Sequence, residues 1–168
     1  MTGSSNTIFI FGLGYVGLHL AEQLSRQGWQ IIGTTRTPEN LSDYEQRGWT
    51  ILPFSGDEDV PDLAHHLAGA SALVSTITAI SGRDPVLARH KQAIEGFAGW
   101  TGYVSATSIY PDQAEGWVDE TTIPEPATAR GIARWKAEQE WDEVTGAEIF
   151  RVAGIYGPNR SPFAALRD

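Results

Sequence analysis

Three glycines near the start of the chain have the spacing Gly-x-Gly-x-x-Gly of a phosphate-binding turn. In such a turn the first glycine lets the chain leave a strand sharply, the second lets the backbone approach a pyrophosphate, and the third lets the next helix pack closely. That helix presents free N–H groups and its positive dipole end to the phosphates. Because similar glycines occur in plain strand-to-helix turns, the flanking strand and helix are needed to favour dinucleotide binding. The predicted contacts are Gly12, Gly14, Tyr15, Val16 and Gly17.

The end of the second predicted strand indicates which nicotinamide dinucleotide would fit. An NAD site places a carboxylate there to bind the ribose 2′-hydroxyl. Here the sequence reads Gly33-Thr34-Thr35-Arg36, so Thr35 stands at the place of the acid. The planar guanidinium of Arg36 can pair with a 2′-phosphate, with an ordinary surface arginine as the alternative interpretation. The sequence therefore favours NADP as the cofactor and makes NAD the less favoured one.

Strand and helix patterns alternate along the chain, as in a parallel sheet with helices on both faces. Pro38 after Thr37 predicts a helix start with Thr37 as the cap. The pattern as a whole predicts an α/β fold, a doubly wound parallel sheet of about six strands, in one domain over residues 1–168. Strands are predicted at 8–11, 30–34, 50–54, 72–77, 103–105 and 148–153, and helices near 15–28, 38–48, 63–67, 85–97 and 129–144, with a long loop over 109–126.

Composition and charge exclude several classes of function. The net charge is −9 and the pI is about 4.8, which argues against nucleic acid or an anionic membrane as the partner. The chain has no cysteine, so disulfides and thiolate metal sites are excluded. The acidic residues 57–59 are more typical of a solvated loop than of a metal site. No secretory or membrane-spanning pattern occurs, and the sequence predicts a cytoplasmic protein.

Several sequence blocks together carry a more specific resemblance. They are the glycine turn, residues 33–36, Tyr-Val-Ser-Ala-Thr-Ser-Ile-Tyr at 103–110, Gly-Trp-Val-Asp-Glu-Thr at 116–121, and Arg-Val-Ala-Gly-Ile-Tyr-Gly-Pro at 151–158. These blocks resemble the extended short-chain dehydrogenase/reductase superfamily, above all its atypical NAD(P)-dependent epimerase/dehydratase-like branch. The resemblance implies a Rossmann domain with NADP across the strand ends and a small-molecule substrate, either a nucleotide sugar or another alcohol or ketone. It also implies a C-terminal substrate region that is missing here.

The resemblance indicates where catalytic residues belong and where this chain departs from them. Active relatives carry Tyr-x-x-x-Lys on the helix after the fifth strand, because residues four apart share a helix face and the lysine lowers the pKa of the tyrosine. Lys136 is present, but Ile132 stands four residues before it and cannot transfer a proton. Ala106 occupies the usual serine or threonine position. The remaining catalytic candidates are Lys136, Thr107, Ser105 and Tyr110, with a solvated lysine and a packing tyrosine as the alternatives.

Hydroxyl side chains follow the third and fourth predicted strands, where related proteins contact the cofactor. Ser55 stands where relatives place an aspartate at the adenine, and Asp57 two residues later is an alternative. Thr76 and Thr78, with Ser75, lie where such folds contact the ribose and the pyrophosphate. These assignments to the cofactor rest on position in the sequence alone.

Three functions therefore stand as alternatives: an NADP-dependent oxidoreductase or epimerase, an NADP-binding or sensing module without the proton relay, and an interaction domain that binds no nucleotide. The glycine turn and Arg36 argue against the third. Ile132 and Ala106 favour the second over the first. Apolar residues near the end of the chain also predict self-association, with a homodimer as one form. These residues are Trp117, Ile155, Tyr156, Phe163 and Leu166.

Overall fold

The computed structural model describes residues 6–79, 82–111, 116–158 and 160–161. Within these residues six strands alternate with five α-helices, as the sequence predicts. The strands are β1 (Thr7–Phe11), β2 (Gln30–Thr35), β3 (Thr50–Pro53), β4 (Ala72–Ser75), β5 (Trp100–Ala106) and β6 (Glu148–Val152), and the helices are α1 (Tyr15–Arg26), α2 (Ser42–Glu45), α3 (Leu63–Ala68), α4 (Pro85–Glu95) and α5 (Ala129–Thr145).

All six strands are parallel and follow the order β3-β2-β1-β4-β5-β6. The chain winds outward from β1 in one direction through β2 and β3, and in the other through β4, β5 and β6. Such a reversal leaves a crevice outside the carboxyl ends of β1 and β4, which is where doubly wound folds bind their ligands. The predicted Rossmann fold is confirmed, and its switch point lies directly beside the glycine turn.

The central strand β1 is apolar on both faces because helices cover the sheet on both sides. Phe9 and Phe11 face a core that includes the fully buried Trp141 of α5, whereas Ile8 and Ile10 face the core beneath α1. The apolar run ends at Phe11, and Gly12, with its positive φ, begins the turn that follows.

The predictions of local structure are wrong in detail at Thr37, at the end of β4 and at the start of β5, which begins at Trp100 and not at residue 103. Thr37 and Pro38 begin a helical turn as predicted, but it is a short 3-10 turn (Pro38–Leu41) that precedes α2. The Thr37 hydroxyl makes no capping bond to its backbone and accepts instead from the Asn40 side-chain amide at 3.2 Å. β4 ends at Ser75, two residues before the predicted end. The chain after it turns towards β1, since the Thr76 N–H donates to the Phe11 carbonyl at 2.9 Å. Residues 112–115 of the predicted long loop lie outside the described residues.

His90 on α4 makes the stability of the fold depend on pH. Its ring is 6% exposed, packs on Phe11 and Phe54, and accepts a hydrogen bond from the Val60 N–H at 3.4 Å. Burial lowers the pKa of His90 from its ordinary 6.5, an effect that Arg89 adds to and Asp59 opposes. Below pH 6.5 the imidazole of His90 therefore binds a proton more readily in the unfolded chain than in the folded one. The free energy of unfolding consequently falls as the pH falls.

We expect the melting temperature to drop between about pH 7.5 and about pH 5.5, and the His90→Gln variant to lose less over this interval. Glutamine keeps an acceptor for the Val60 N–H but does not protonate. Thermal unfolding at both pH values measures the difference, with His65→Gln on the exposed face of α3 as the control. An equal drop in the His90→Gln variant and the unmodified protein would show that another group is responsible.

Candidate cofactor site

The glycine turn is held from β2 by two hydrogen bonds to Thr34, one to its side chain and one to its backbone. Gly12 has a φ of +93°, a conformation that side chains rarely adopt. Its N–H donates to the Thr34 hydroxyl at 3.0 Å, and the Leu13 N–H donates to the Thr34 carbonyl at 2.7 Å. Thr34 is fully buried, so these bonds are shielded from water. Thr34 directly precedes Thr35 and Arg36, the positions predicted to select the cofactor, and it fixes the shape of the turn.

Thr76 holds the same turn from the β4 side. Its hydroxyl donates to the Gly12 carbonyl at 2.7 Å, so the segment after β4 is bonded to the turn after β1. A methyl group added at Gly12 would lie 2.9 Å from that hydroxyl. Thr76 therefore positions the loop that would carry the phosphates as well as lining the crevice.

The two later glycines have different surroundings. A Cβ built on Gly14, the residue before α1, meets no atom within 4 Å, so the backbone there is bare and open to a ligand. A Cβ built on Gly17 would overlap the Gly12 carbonyl oxygen, because α1 lies directly against the turn. The geometry thus leaves the backbone at Gly14 open and gives Gly17 the close packing of helix on strand.

Two cavities adjoin across this turn. The first, of about 380 Å³, lies at the ends of β1 and β2, and its lining includes Gly12, Gly14, Thr35, Arg36, Phe54, Ser55, Thr76 and Thr78. Arg36 is exposed and makes no ion pair with any described residue. Ser55 is exposed in the loop after β3, and its hydroxyl accepts from the Asp57 N–H at 3.4 Å. Asp57 itself is not among the residues that line the cavity.

The second cavity, of about 370 Å³, lies at the ends of β4, β5 and β6. It shares Gly14, Thr76 and Thr78 with the first cavity, so the two form one crevice across the switch point of the sheet. Its other lining residues are Tyr15, Val16, Val104, Ser105, Ala106, Arg130, Arg134, Val152, Ala153, Gly154, Ile155 and Arg160. Tyr15 and Val16, two of the predicted contacts, therefore face this half of the crevice.

The crevice is positively charged although the chain is acidic. Four of the 12 lysines and arginines line it, namely Arg36, Arg130, Arg134 and Arg160, whereas no described carboxylate does. A cleft lined by one sign of charge attracts ligands of the opposite sign. The local charge therefore fits an anionic ligand such as a dinucleotide, against a net charge of −9 for the whole chain.

Helix α5 presents arginines, and not Lys136, to the crevice. Arg134 is 5% exposed, and its guanidinium donates to the Val104 carbonyl and the Thr78 hydroxyl, each at 3.0 Å. Lys136 is exposed and pairs with Glu140 at 3.8 Å, and Ile132 is 54% exposed. Neither of them lines the second cavity. Arg130 and Arg134 are the two residues four apart that face the site. They lie two positions before Ile132 and Lys136, which stand where the resemblance implies the tyrosine and lysine.

The four predicted catalytic residues do not come together. Ser105 is 1% exposed, lines the second cavity, and has no hydrogen-bond partner among the described residues. Thr107 begins a 3-10 turn (Thr107–Ile109) that carries the chain away from the crevice, and it lies on a separate depression with Tyr110. The Tyr110 hydroxyl accepts from Arg151 and donates to the Asp119 carbonyl, each at 2.9 Å. Only Ser105 of the four reaches the crevice.

The fold and the crevice define a dinucleotide-binding Rossmann domain. Residues 7–124 match the family of the NAD binding domain of 6-phosphogluconate dehydrogenase, which is well over half of the chain. The chain belongs to this family, and it is an NAD(P)-binding domain.

Similar proteins extend the comparison beyond the cofactor-binding segment. The chain is 29% identical over 167 residues to protein YeeZ of Escherichia coli K12, covering 92% of this chain and 61% of that protein. A conserved protein of unknown function from Silicibacter pomeroyi has a solved structure with a TM-score of 0.82 and 40% identity, over 96% of this chain and 57% of that one. A structure from Methylobacillus flagellatus, provisionally assigned as an NAD-dependent epimerase/dehydratase, has a TM-score of 0.76 and 27% identity over 98% and 59% of the two chains.

The resemblance to NAD(P)-dependent epimerase/dehydratase-like proteins is thereby confirmed. The chain spans about 60% of the length of these relatives.

Two further observations concern the described residues alone. None of their helices is both long enough and apolar enough to cross a membrane, and their His, Asp and Glu residues form no group of three or more suited to a metal ion.

Proposed function

We propose that the domain binds NADP(H) in preference to NAD(H), with the adenosine half in the first cavity. The observation that carries this proposal is Arg36, exposed at the end of β2 with no carboxylate beside it in the lining of the cavity. A guanidinium pairs well with a 2′-phosphate, whereas an NAD site needs an acid there. The name of the Methylobacillus relative specifies NAD, so the choice of cofactor is open to direct measurement.

The residues of the turn would bind the rest of the dinucleotide. The bare backbone at Gly14 and the N-terminus of α1 offer N–H groups to the pyrophosphate, and Thr76 keeps the turn in the required shape. Ser55 lines the first cavity, where it would contact the adenosine, and Thr78 lines both cavities. The nicotinamide, when bound, supplies hydride transfer in the second cavity.

We further propose a module of the epimerase/dehydratase type that lacks the usual tyrosine and lysine relay on α5. Arginine stays protonated at neutral pH and cannot act as a general base, so Arg130 and Arg134 do not replace that relay. Ser105 and Tyr15 are the hydroxyls in the second cavity that remain for proton transfer, besides the two threonines at its border. A nucleotide sugar or another alcohol or ketone remains the proposed substrate class, and binding or sensing of NADP without turnover is the alternative.

Self-association remains a prediction from the sequence. Trp117 is 99% exposed and Tyr156 is 76% exposed, while Ile155 is half-buried in the lining of the second cavity. Phe163 and Leu166, the other residues of the predicted apolar patch, lie outside the described residues. A homodimer through this face is therefore a proposal, as is a cytoplasmic location.

Isothermal titration with NADPH and NADH tests the choice of cofactor. We expect NADPH to bind more tightly, and Arg36→Ala to weaken NADPH by about ten- to a hundredfold while changing NADH little, since charge-assisted bonds contribute about 1.5–3 kcal/mol. Arg89→Ala removes an exposed arginine outside the crevice and serves as the control. Equal affinities of the unmodified protein for NADPH and NADH would rule out the preference.

A further inference from the structure

Arg134 is a buried cation that has no ion-pair partner among the described residues. It is 5% exposed, and its bonds go to the Val104 carbonyl, the Thr78 hydroxyl and, at 3.5 Å, the Tyr103 hydroxyl. No described carboxylate forms an ion pair with it, and its Nε–H has no partner among the described residues. The next acid along α5 is Glu138, which pairs with Arg151. Because a buried charge without an ion-pair partner is costly, an anion from outside the domain would stabilise Arg134.

Other groups in the second cavity point to the same kind of ligand. The buried Ser105 hydroxyl is an unused donor, and it follows directly after Val104, to whose carbonyl Arg134 is bonded. Arg130 lies one helical turn before Arg134 on the same side of α5. Arg160 also lines the second cavity. Its Nε–H donates to the Ile155 carbonyl at 2.9 Å, and its guanidinium lies 5.4 Å from the centre of the Tyr15 ring.

The cofactor accounts for only part of this charge. If the dinucleotide lies as proposed above, its pyrophosphate meets the N-terminus of α1 and its 2′-phosphate meets Arg36 in the first cavity. The nicotinamide and its ribose, which would occupy the second cavity, carry no negative charge. Arg160 contacts the Tyr15 ring at the start of α1 and so lies on the pyrophosphate side, whereas Arg130 and Arg134 face a space in which the cofactor would supply no anion.

We infer that the second cavity binds an oxyanion of the substrate, a phosphate or carboxylate group, between Arg134, Arg130 and the Ser105 hydroxyl. The inference rests on the proposed placement of the dinucleotide. Two guanidinium groups would supply charge-assisted hydrogen bonds, and Ser105 would add a neutral one. The substrate is then an anionic small molecule whose charged group is held close to the nicotinamide.

Titration of inorganic phosphate, and separately of malonate, into protein saturated with NADPH at constant ionic strength tests this inference. Arg130→Gln and Ser105→Ala are the informative variants, because Arg134 also joins α5 to β5 and its loss could unfold the domain. Removal of the unpartnered Ser105 hydroxyl should leave the fold intact. Arg89→Gln, which alters an exposed arginine outside both cavities, is the control.

We expect at least one of the two anions to bind, and the tighter one to indicate whether the natural group is a phosphate or a carboxylate. Arg130→Gln should weaken binding about ten- to a hundredfold and Ser105→Ala about two- to tenfold, with no change in Arg89→Gln. The inference is overturned if neither anion binds, if NADPH abolishes their binding, or if Arg130→Gln and Arg89→Gln behave alike. If NADPH itself does not bind, the proposed function fails. The anions are then titrated into the free protein, and a weaker binding to Arg130→Gln than to Arg89→Gln would still support this inference.

Discussion

Glu138→Ala is expected to lower the free energy of unfolding by about 3–5 kcal/mol, the usual cost of removing one partner of a buried ion pair. Glu138 is 2% exposed, and one of its oxygens accepts two hydrogen bonds from Arg151, at 3.0 and 3.1 Å. Without it, the Arg151 guanidinium keeps one hydrogen bond among the described residues, to the Tyr110 hydroxyl, and its contacts with the Tyr110 and Trp135 rings. For a chain of this size the melting temperature should fall by about 6–20 °C.

Denaturant unfolding followed by circular dichroism measures this effect. Glu140→Ala, two residues further along α5, breaks the exposed pair with Lys136 and should cost less than about 1 kcal/mol. The double variant Glu138→Ala/Arg151→Ala removes the uncompensated charge as well, so its cost should be smaller than the sum of the single costs. A Glu138→Ala variant as stable as Glu140→Ala would mean that the pair contributes nothing to the fold.

Gly17→Ala should destabilise the domain and weaken dinucleotide binding together. The added methyl group would overlap the Gly12 carbonyl oxygen, and backbone can yield only if α1 moves away from β1. Overpacking of this kind costs about 1–3 kcal/mol and occasionally more, which corresponds to a fall of about 2–12 °C in the melting temperature. The shift of α1 would also move its N-terminal N–H groups away from the pyrophosphate.

Gly14→Ala is the matched control because it adds the same methyl group three residues earlier. Its Cβ meets open space and its φ of −81° suits any residue, so stability should change by less than about 0.5 kcal/mol. The methyl group would nevertheless stand in the path of a pyrophosphate and reduce NADPH affinity by at least about tenfold. Thermal unfolding with and without NADPH separates the two effects. Equal losses of stability in both variants would contradict the assignment of different roles to these glycines.

The glycine turn and the fold were predictable because their signals are local. A continuous apolar strand, a glycine that needs a positive φ and an amphipathic helix are all encoded within about 20 residues, and they predict the nucleotide-binding end of the sheet. The six strands follow from the same alternation. The predicted positions of Thr35, Arg36, Ser55, Thr76 and Thr78 all fall on the lining of the crevice, because parallel strands bring their carboxyl ends to one edge.

The rotation of α5 was not predicted, and it decides the chemistry of the second cavity. Ile132 and Lys136 are four residues apart, and so are Arg130 and Arg134, so spacing alone favours neither pair. Trp141, fully buried and stacked on Tyr103 at 5.7 Å, sets which face turns inward. Arg134 lies seven residues before Trp141, almost two full turns, and therefore shares its face, whereas Lys136 lies five residues before it and points elsewhere.

The sequence by itself thus determined the class of fold, the family of NAD(P)-binding domains and the turn that would hold a pyrophosphate, because each depends on neighbouring residues. Only the tertiary structure decided which side chains share the crevice. It brought Ser105 beside two arginines of α5, and the 3-10 turn after β5 took Thr107 and Tyr110 to another face. Those placements depend on packing between elements about 30 residues apart, which no local pattern records.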